Sequence, residues 1–284
     1  VTSRAYLDHA ATTPMVPEAI EAMTRELTRV GNASSLHGSG RAARRIVEES
    51  REAIAGRLGA RPAEVIFTSG GTESDNLAVK GGYWSRAVGG RDGIVTSAIE
   101  HPAVLDSVGW LAQDEAARVE FISVDRFGRI DLPGLAEAVS ETTAVVSVMW
   151  ANNEVGTVQP VTRIAALARD SGAISHSDAV QAVGHLPVDF AASGLDLMTF
   201  TGHKLGGPYG IGALLARREV VLTAVQHGGG QERDVRSGTV DVAAVAGFAA
   251  AVDVACDRQE IETARLQALR QELVAQVRAA TPGV

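Results

Sequence analysis

Short, nearly all-apolar runs alternate along this chain with longer stretches of helical period, and that alternation predicts its layout. Val65-Ile66-Phe67-Thr68 reads as a strand, followed by a helix from about Glu73 to Ser85. Gly93 to Ser97 reads as another strand, ahead of a helix that opens at Pro102, where proline suits a first turn. Val119 to Ile122 is a short strand. Ala144 to Met149 is apolar apart from Ser147, the pattern of a strand buried on both faces. Arg163 to Asp170 is helical and Ala173 to Ser177 extended, and Leu195 to Thr201 and Ile211 to Ala216 add two more strands. Strands and helices in this order predict an α/β fold, a mainly parallel sheet with helices on both faces.

The flanks read as helix. Arg41 to Leu58 is charged, with Arg44/Glu48 and Arg45/Glu49 spaced i,i+4 on a solvated face. Val242 to about Ala280 is periodic again, as two helices or one long kinked one, and Thr281-Pro282-Gly283-Val284 carries a turn signal.

Composition narrows the function classes. Aromatic content is only 4% against 45% hydrophobic, so the core is expected to be Ala, Val, Leu and Ile. A net charge of −8 argues against a sequence-independent nucleic-acid surface, which needs a basic excess. Cys256 is the sole cysteine, which excludes an internal disulfide and a Cys-rich metal site. No metal centre is expected. The lone thiol fits a reducing compartment. No apolar run is long enough to span a bilayer and no basic-then-apolar leader opens the chain, so a cytoplasmic protein is expected.

Candidate chemistry sits where predicted strands end. Lys204 is one of only two lysines, the other being Lys80 at the end of an amphipathic helix. It follows the apolar stretch Leu195–Thr201 and precedes Gly206-Gly207-Pro208, a setting that suits a Schiff-base amine, or else an ordinary structural or solvated lysine at a strand end. Thr68-Ser69-Gly70-Gly71-Thr72-Glu73-Ser74, between a strand and a helix, offers backbone N–H groups to a phosphate, or else simply caps the helix. It matches neither the P-loop nor the dinucleotide fingerprint, which favours a single phosphate. Asp178 ends another strand, where a buried carboxylate needs a cationic partner such as a protonated pyridine nitrogen; the alternative is a cap for Ala179–Val183. His101 is either a cap or a group lying on a cofactor ring near substrate protons. His203 and Thr201 are placed to hold phosphate oxygens, Asn152-Asn153 closes the Met149 strand, and Gln181 follows Asp178 by three residues. In a parallel sheet, such strand ends form one ligand-binding edge.

Taken together, these segments resemble the cysteine desulfurases, pyridoxal-phosphate enzymes of fold type I in the class-V aminotransferase group. The resemblance runs from Tyr6-Leu7-Asp8-His9-Ala10-Ala11-Thr12-Thr13-Pro14 to about Asp241. It includes Gly31 to His37, Phe67 to Asn76, Glu100-His101, Asn152 to Gly156, Asp178 to Gln181, Thr201-Gly202-His203-Lys204, His227 to Glu232 and Arg236-Ser237-Gly238-Thr239. It implies that pyridoxal 5'-phosphate is carried on Lys204, which also moves protons at the substrate Cα. His101 would stack on the ring and assist proton transfer, Asp178 would pair with the ring nitrogen, and Gln181 and Asn153 would approach the phenolic oxygen. Gly71, Thr72, Thr201 and His203 would hold the phosphate. Thr239 would reach the phosphate of a neighbouring subunit, which implies a homodimer.

The implied reaction converts L-cysteine to L-alanine and passes sulfur, through a cysteine persulfide, to an iron–sulfur scaffold or another acceptor protein. The implied domains are a large one over 15–258 and an incomplete smaller α/β one from 1–14 and 259–284. In the family the persulfide cysteine and a carboxylate-binding arginine lie further on, so a truncated chain is expected, one that binds cofactor without full turnover. Cys256, in a helical pattern, reads as an ordinary buried thiol. Rival readings are a selenocysteine lyase or small aminotransferase of the same fold, and a non-catalytic dimeric scaffold.

Overall fold

The computed structural model describes residues 5–281; residues 1–4 and 282–284, with most of the expected terminal turn, lie outside them. The chain opens with helices α1 (Pro17–Leu27) and α2 (Gly38–Arg57). Strand β1 (Val65–Thr68) follows, then α3 (Gly71–Asn76), which passes through a π-helical turn at Leu77–Gly81 into α4 (Gly82–Ala87). Next come β2 (Gly93–Ser97), α5 (Pro102–Asp114), β3 (Arg118–Ile122), α6 (Leu132–Ala138), β4 (Thr143–Ser147) and α7 (Val161–Ser171). The remaining elements are β5 (Ile174–Asp178), α8 (Phe190–Ser193), β6 (Leu197–Thr201), β7 (Gly212–Ala216) and α9 (Val242–Ala280).

Among the described residues the strands form one sheet in the order β1-β7-β6-β5-β4-β2-β3. The pairs from β3 through β6 are parallel, as expected of strands joined by helical crossovers, and β7 is antiparallel to both β6 and β1. The local pattern did not give that reversal. The Gly202–Ile211 connection carries no crossover helix, so β7 returns beside β6 in the opposite sense.

Burial follows the pleat. In β1, Val65 and Phe67 join a core with Ile54, Phe190, Phe200 and Phe248, while Ile66 faces a second core with Leu77, Val104 and Leu111. Strand β3 lies at the edge and leaves Arg118, Glu120 and Phe121 exposed.

Some expected boundaries move. The helix expected from Glu73 begins at Gly71, and Val242–Ala280 is a single helix that continues through the expected domain division at 258. On α2, Glu48 pairs with Arg51 at 3.4 Å rather than with Arg44. Lys80 is not simply solvated, because its ammonium sits 4.3 Å from the centre of the Trp110 ring.

Two close approaches shape the ligand edge of the sheet. Gly212 opens β7 against Gly70, and a Cβ there would lie 2.8 Å from the Gly70 backbone, so glycine lets the Thr68–Thr72 loop settle on the sheet. The N-terminal segment is stitched to the loop after β6: Thr13 N–H donates to the His203 carbonyl at 2.9 Å and Val16 N–H to the Gly206 carbonyl at 2.8 Å. Residues 10–16 are thereby held beside the ends of β5 and β6.

Candidate active site

A cavity of about 590 Å³ lies at this edge, and it collects groups from the ends of five strands. Gly71 and Thr72 come from beyond β1, His101 from beyond β2, Asn153 from beyond β4, and Asp178 with Gln181 from β5 and its following turn. Thr201, His203 and Lys204 come from the end of β6. Because β2, β4, β5 and β6 run parallel, their carboxyl ends coincide; β1, antiparallel to β7, runs in the same sense and adds its end.

Lys204 closes a short 3-10 turn, Gly202–Lys204, and its Nζ donates to the Ala10 carbonyl. Burial lowers its proton affinity, and the carboxylates of Asp178 and Asp8 partly oppose that. The amine is thus more readily neutral than a solvated lysine, as a nucleophile requires.

Asp178 is only 6% exposed. Its Oδ1 accepts the Val180 N–H at 2.9 Å, so it caps a turn and not a helix, and it still borders the cavity. Burial raises its proton affinity, while the Val180 N–H and the charges of His101 and Lys204 pull the other way. A cation in the cavity would relieve that cost.

His101 is both cap and cavity residue: Nδ1 accepts the Ala103 N–H at 3.1 Å at the start of α5, which leaves Nε2 as the free ring nitrogen. The loop before α3 is braced from within. Thr68 Oγ1 donates to the Gly70 carbonyl at 3.1 Å, and Glu73 accepts the Ser69 N–H at 2.6 Å. The N–H groups of Gly71 and Thr72, in the first turn of the helix, remain for an anionic ligand.

The other expected residues have definite partners. Thr201 Oγ1 donates to the Ile211 carbonyl at 3.0 Å, and Gln181 Nε2 to the Ala10 carbonyl at 3.0 Å. Asn153 Nδ2 donates to Glu154 Oε1 at 2.9 Å. The His203 ring shares a hydrogen bond with Thr12 Oγ1 at 3.2 Å and stacks on Tyr209, with centroids 5.8 Å apart. Thr239 is exposed and does not line this cavity.

Reasoning from individual residues missed part of the lining. Asp8, Ala10 and Ala11 arrive from the N-terminal segment, and Asp75, Met149, Glu154 and Val180 also border the cavity. Asp75 had a signal: it follows Gly71 and Thr72 by four and three residues, the spacing of one helix face. Ala10 acts through its backbone carbonyl and had none.

Comparison with known proteins places the chain in a family. The aminotransferase class-V family model matches residues 5–281. An IscS-like cysteine desulfurase of Mycobacterium tuberculosis (strain ATCC 25618 / H37Rv) is 58% identical over 274 residues, which cover 95% of this chain and 70% of that protein. Cysteine desulfurase IscS of Klebsiella pneumoniae (strain 342) is 44% identical over 274 residues, covering 94% and 67%. Among solved structures, a NifS-like protein superposes with a TM-score of 0.93 at 36% identity, over 96% of this chain and 75% of that one. DndA from Streptomyces lividans does so at 0.86 and 38%, over 96% and 78%. The chain thus spans about 70% of the length of its mycobacterial relative.

Proposed function

Because the chain belongs to the class-V aminotransferase family and its relatives there are cysteine desulfurases, we propose that it binds pyridoxal 5'-phosphate and removes sulfur from L-cysteine, leaving L-alanine. The observation that carries this reading is the convergence of Lys204, Asp178, His101 and the Gly71–Thr72 helix start on one cavity. The donor set fits the cofactor. A partly desolvated amine suits its aldehyde, a buried carboxylate bordering the cavity suits its ring nitrogen, and first-turn N–H groups suit its phosphate.

When bound, pyridoxal phosphate supplies an aldehyde and an electron-withdrawing ring. The chain's own groups do the rest. Gly71 and Thr72, with Thr201 and His203, hold the phosphate end. Asp178 presents a carboxylate to the ring nitrogen, and Gln181 and Asn153 supply amide groups to the phenolic oxygen. The Ala10 carbonyl orients the Lys204 amine, which would move the proton at the substrate Cα. His101, fixed through Nδ1, exchanges protons through Nε2.

The sulfur passes to an acceptor thiol, R–SH becoming R–S–SH as cysteine becomes alanine. Cys256 is a poor acceptor. It is half-buried on α9, packs against the core, lies outside the cavity lining, and burial pushes its thiol pKa up. An iron–sulfur scaffold or another sulfur-acceptor protein is the proposed partner, in the cytoplasm. Exposed Thr239 reaches the site of a second copy in a proposed homodimer. Residues 15–258 form the cofactor domain in this reading, with 1–14 and 259–284 belonging to the smaller one.

Borohydride reduction of the protein incubated with pyridoxal phosphate, followed by peptide mapping, tests the assignment. The cofactor should be fixed to the peptide that holds Lys204, and Lys204→Ala should remove the label. Label on Lys80, or none, overturns the reading.

A further inference from the structure

Asp75 borders the same cavity as Lys204 and Asp178, yet it is only 1% exposed. Its Oδ1 has no hydrogen-bond partner among the described residues. His176 Nε2 lies 3.6 Å away, beyond hydrogen-bond range. Nor is His176 a cation. Its ring is fully buried, hydrogen-bonds to Ser147 Oγ at 2.8 Å and Thr199 Oγ1 at 3.1 Å, and burial pushes its pKa down to about 3.

The other groups that bear on Asp75 are mostly acids. Asp178 stands at the end of β5 and Glu100 follows β2, while the Thr199 hydroxyl comes from β6. Burial, then the charge of Asp178, hold Asp75 well above the ordinary carboxylate range; Thr199 opposes this and Glu100 adds to it. The two basic side chains that bear on this pair, His101 and Lys204, act on Asp178. Two desolvated carboxyls in one site do not both ionise near neutrality. The one on which the basic groups act keeps the charge.

Resting on the cofactor reading above, we propose that Asp75 is a positioning residue: a buried neutral acid whose O–H donates to the Asp178 oxygen left free by the Val180 N–H. Asp178 is then held as the single anion offered to the ring nitrogen. A lone buried anion would otherwise be free to rotate away or to take up a proton itself, and in either state it serves a pyridinium poorly.

The test compares wild type, Asp75→Asn and Asp75→Ala, each first shown to be folded by thermal melting. Wild-type-minus-variant infrared spectra of the cofactor-free proteins near neutral pH should show a protonated-carboxyl band that is lost with Asp75, apart from the band buried Glu100 contributes to all three proteins. Titration with pyridoxal phosphate, followed by absorbance, should place Asp75→Asn within about threefold of wild type, because the amide still donates. Asp75→Ala should bind about tenfold or more weakly. Wild-type-minus-variant spectra with no carboxyl band overturn the proposal, as does Asp75→Ala binding like wild type or Asp75→Asn failing as badly as Asp75→Ala. Wild type that does not bind the cofactor strikes the functional reading instead, and the infrared comparison still decides the state of Asp75.

Discussion

Replacing Glu232 by alanine tests how the segment that carries Thr239 is held. Glu232 accepts from both terminal nitrogens of Arg51, at 2.8 Å each, and from the Phe67 N–H at 3.0 Å. The two side chains are 10% and 2% exposed, so the pair is shielded from water. Burial alone would lower the proton affinity of Arg51, and the Glu232 carboxylate more than restores it. Without the carboxylate, a buried guanidinium loses its buried counter-ion and a strand N–H loses its acceptor.

Breaking a buried pair costs about 3–5 kcal/mol. Arg51 keeps the Val65 carbonyl at 2.6 Å and half-exposed Glu48 at 3.4 Å, which places the expected loss at the lower end, about 3 kcal/mol. Urea unfolding followed by circular dichroism would measure it. The double variant Arg51→Met/Glu232→Leu should recover most of the loss, because neither charge is then stranded. A Glu232→Ala loss below about 1 kcal/mol would refute the reasoning, since such a value belongs to a solvated surface pair.

Two further outcomes are expected. Glu100 is buried, and its pKa is raised from 4.5 to about 8, so the folded state holds a proton that the unfolded state has lost; its contribution therefore falls as pH rises from about 4.5 to about 8. His176 has the opposite sense: neutral when folded down to about 3 and ordinarily titrating at 6.5, it costs stability as pH falls below about 6.5. Melting temperatures across pH should show both limbs, with Glu100→Gln flattening the first; an unchanged first limb in that variant would show that Glu100 is not its source. Gly212→Ala forces a Cβ to within 2.8 Å of the Gly70 backbone and should cost about 1–3 kcal/mol while weakening pyridoxal-phosphate binding. Wild-type melting and cofactor titration in that variant would show that the loop has room to shift.

What the sequence determined by itself was whatever is local. Runs such as Val65–Thr68 and Gly93–Ser97 are strands because their side chains are apolar within a few residues of turn signals, and the structure keeps those bounds. The same locality made Gly71, His101, Asp178 and Lys204 legible, each within a few residues of a strand end, and the ordered motifs named the family.

Only the tertiary structure decided the rest, because the partners are far apart in the chain. The reversal of β7 depends on pairing with both β6 and β1, which no local pattern encodes. The Ala10 carbonyl meets Lys204 and Gln181 across 194 and 171 residues, and Arg51 meets Glu232 across 181. Asp75 falls within the helix expected from about Glu73 to Ser85, and nothing local sets its charge. Folding placed it out of water beside Asp178, and a carboxyl group's charge is settled by the surroundings that folding brings to it.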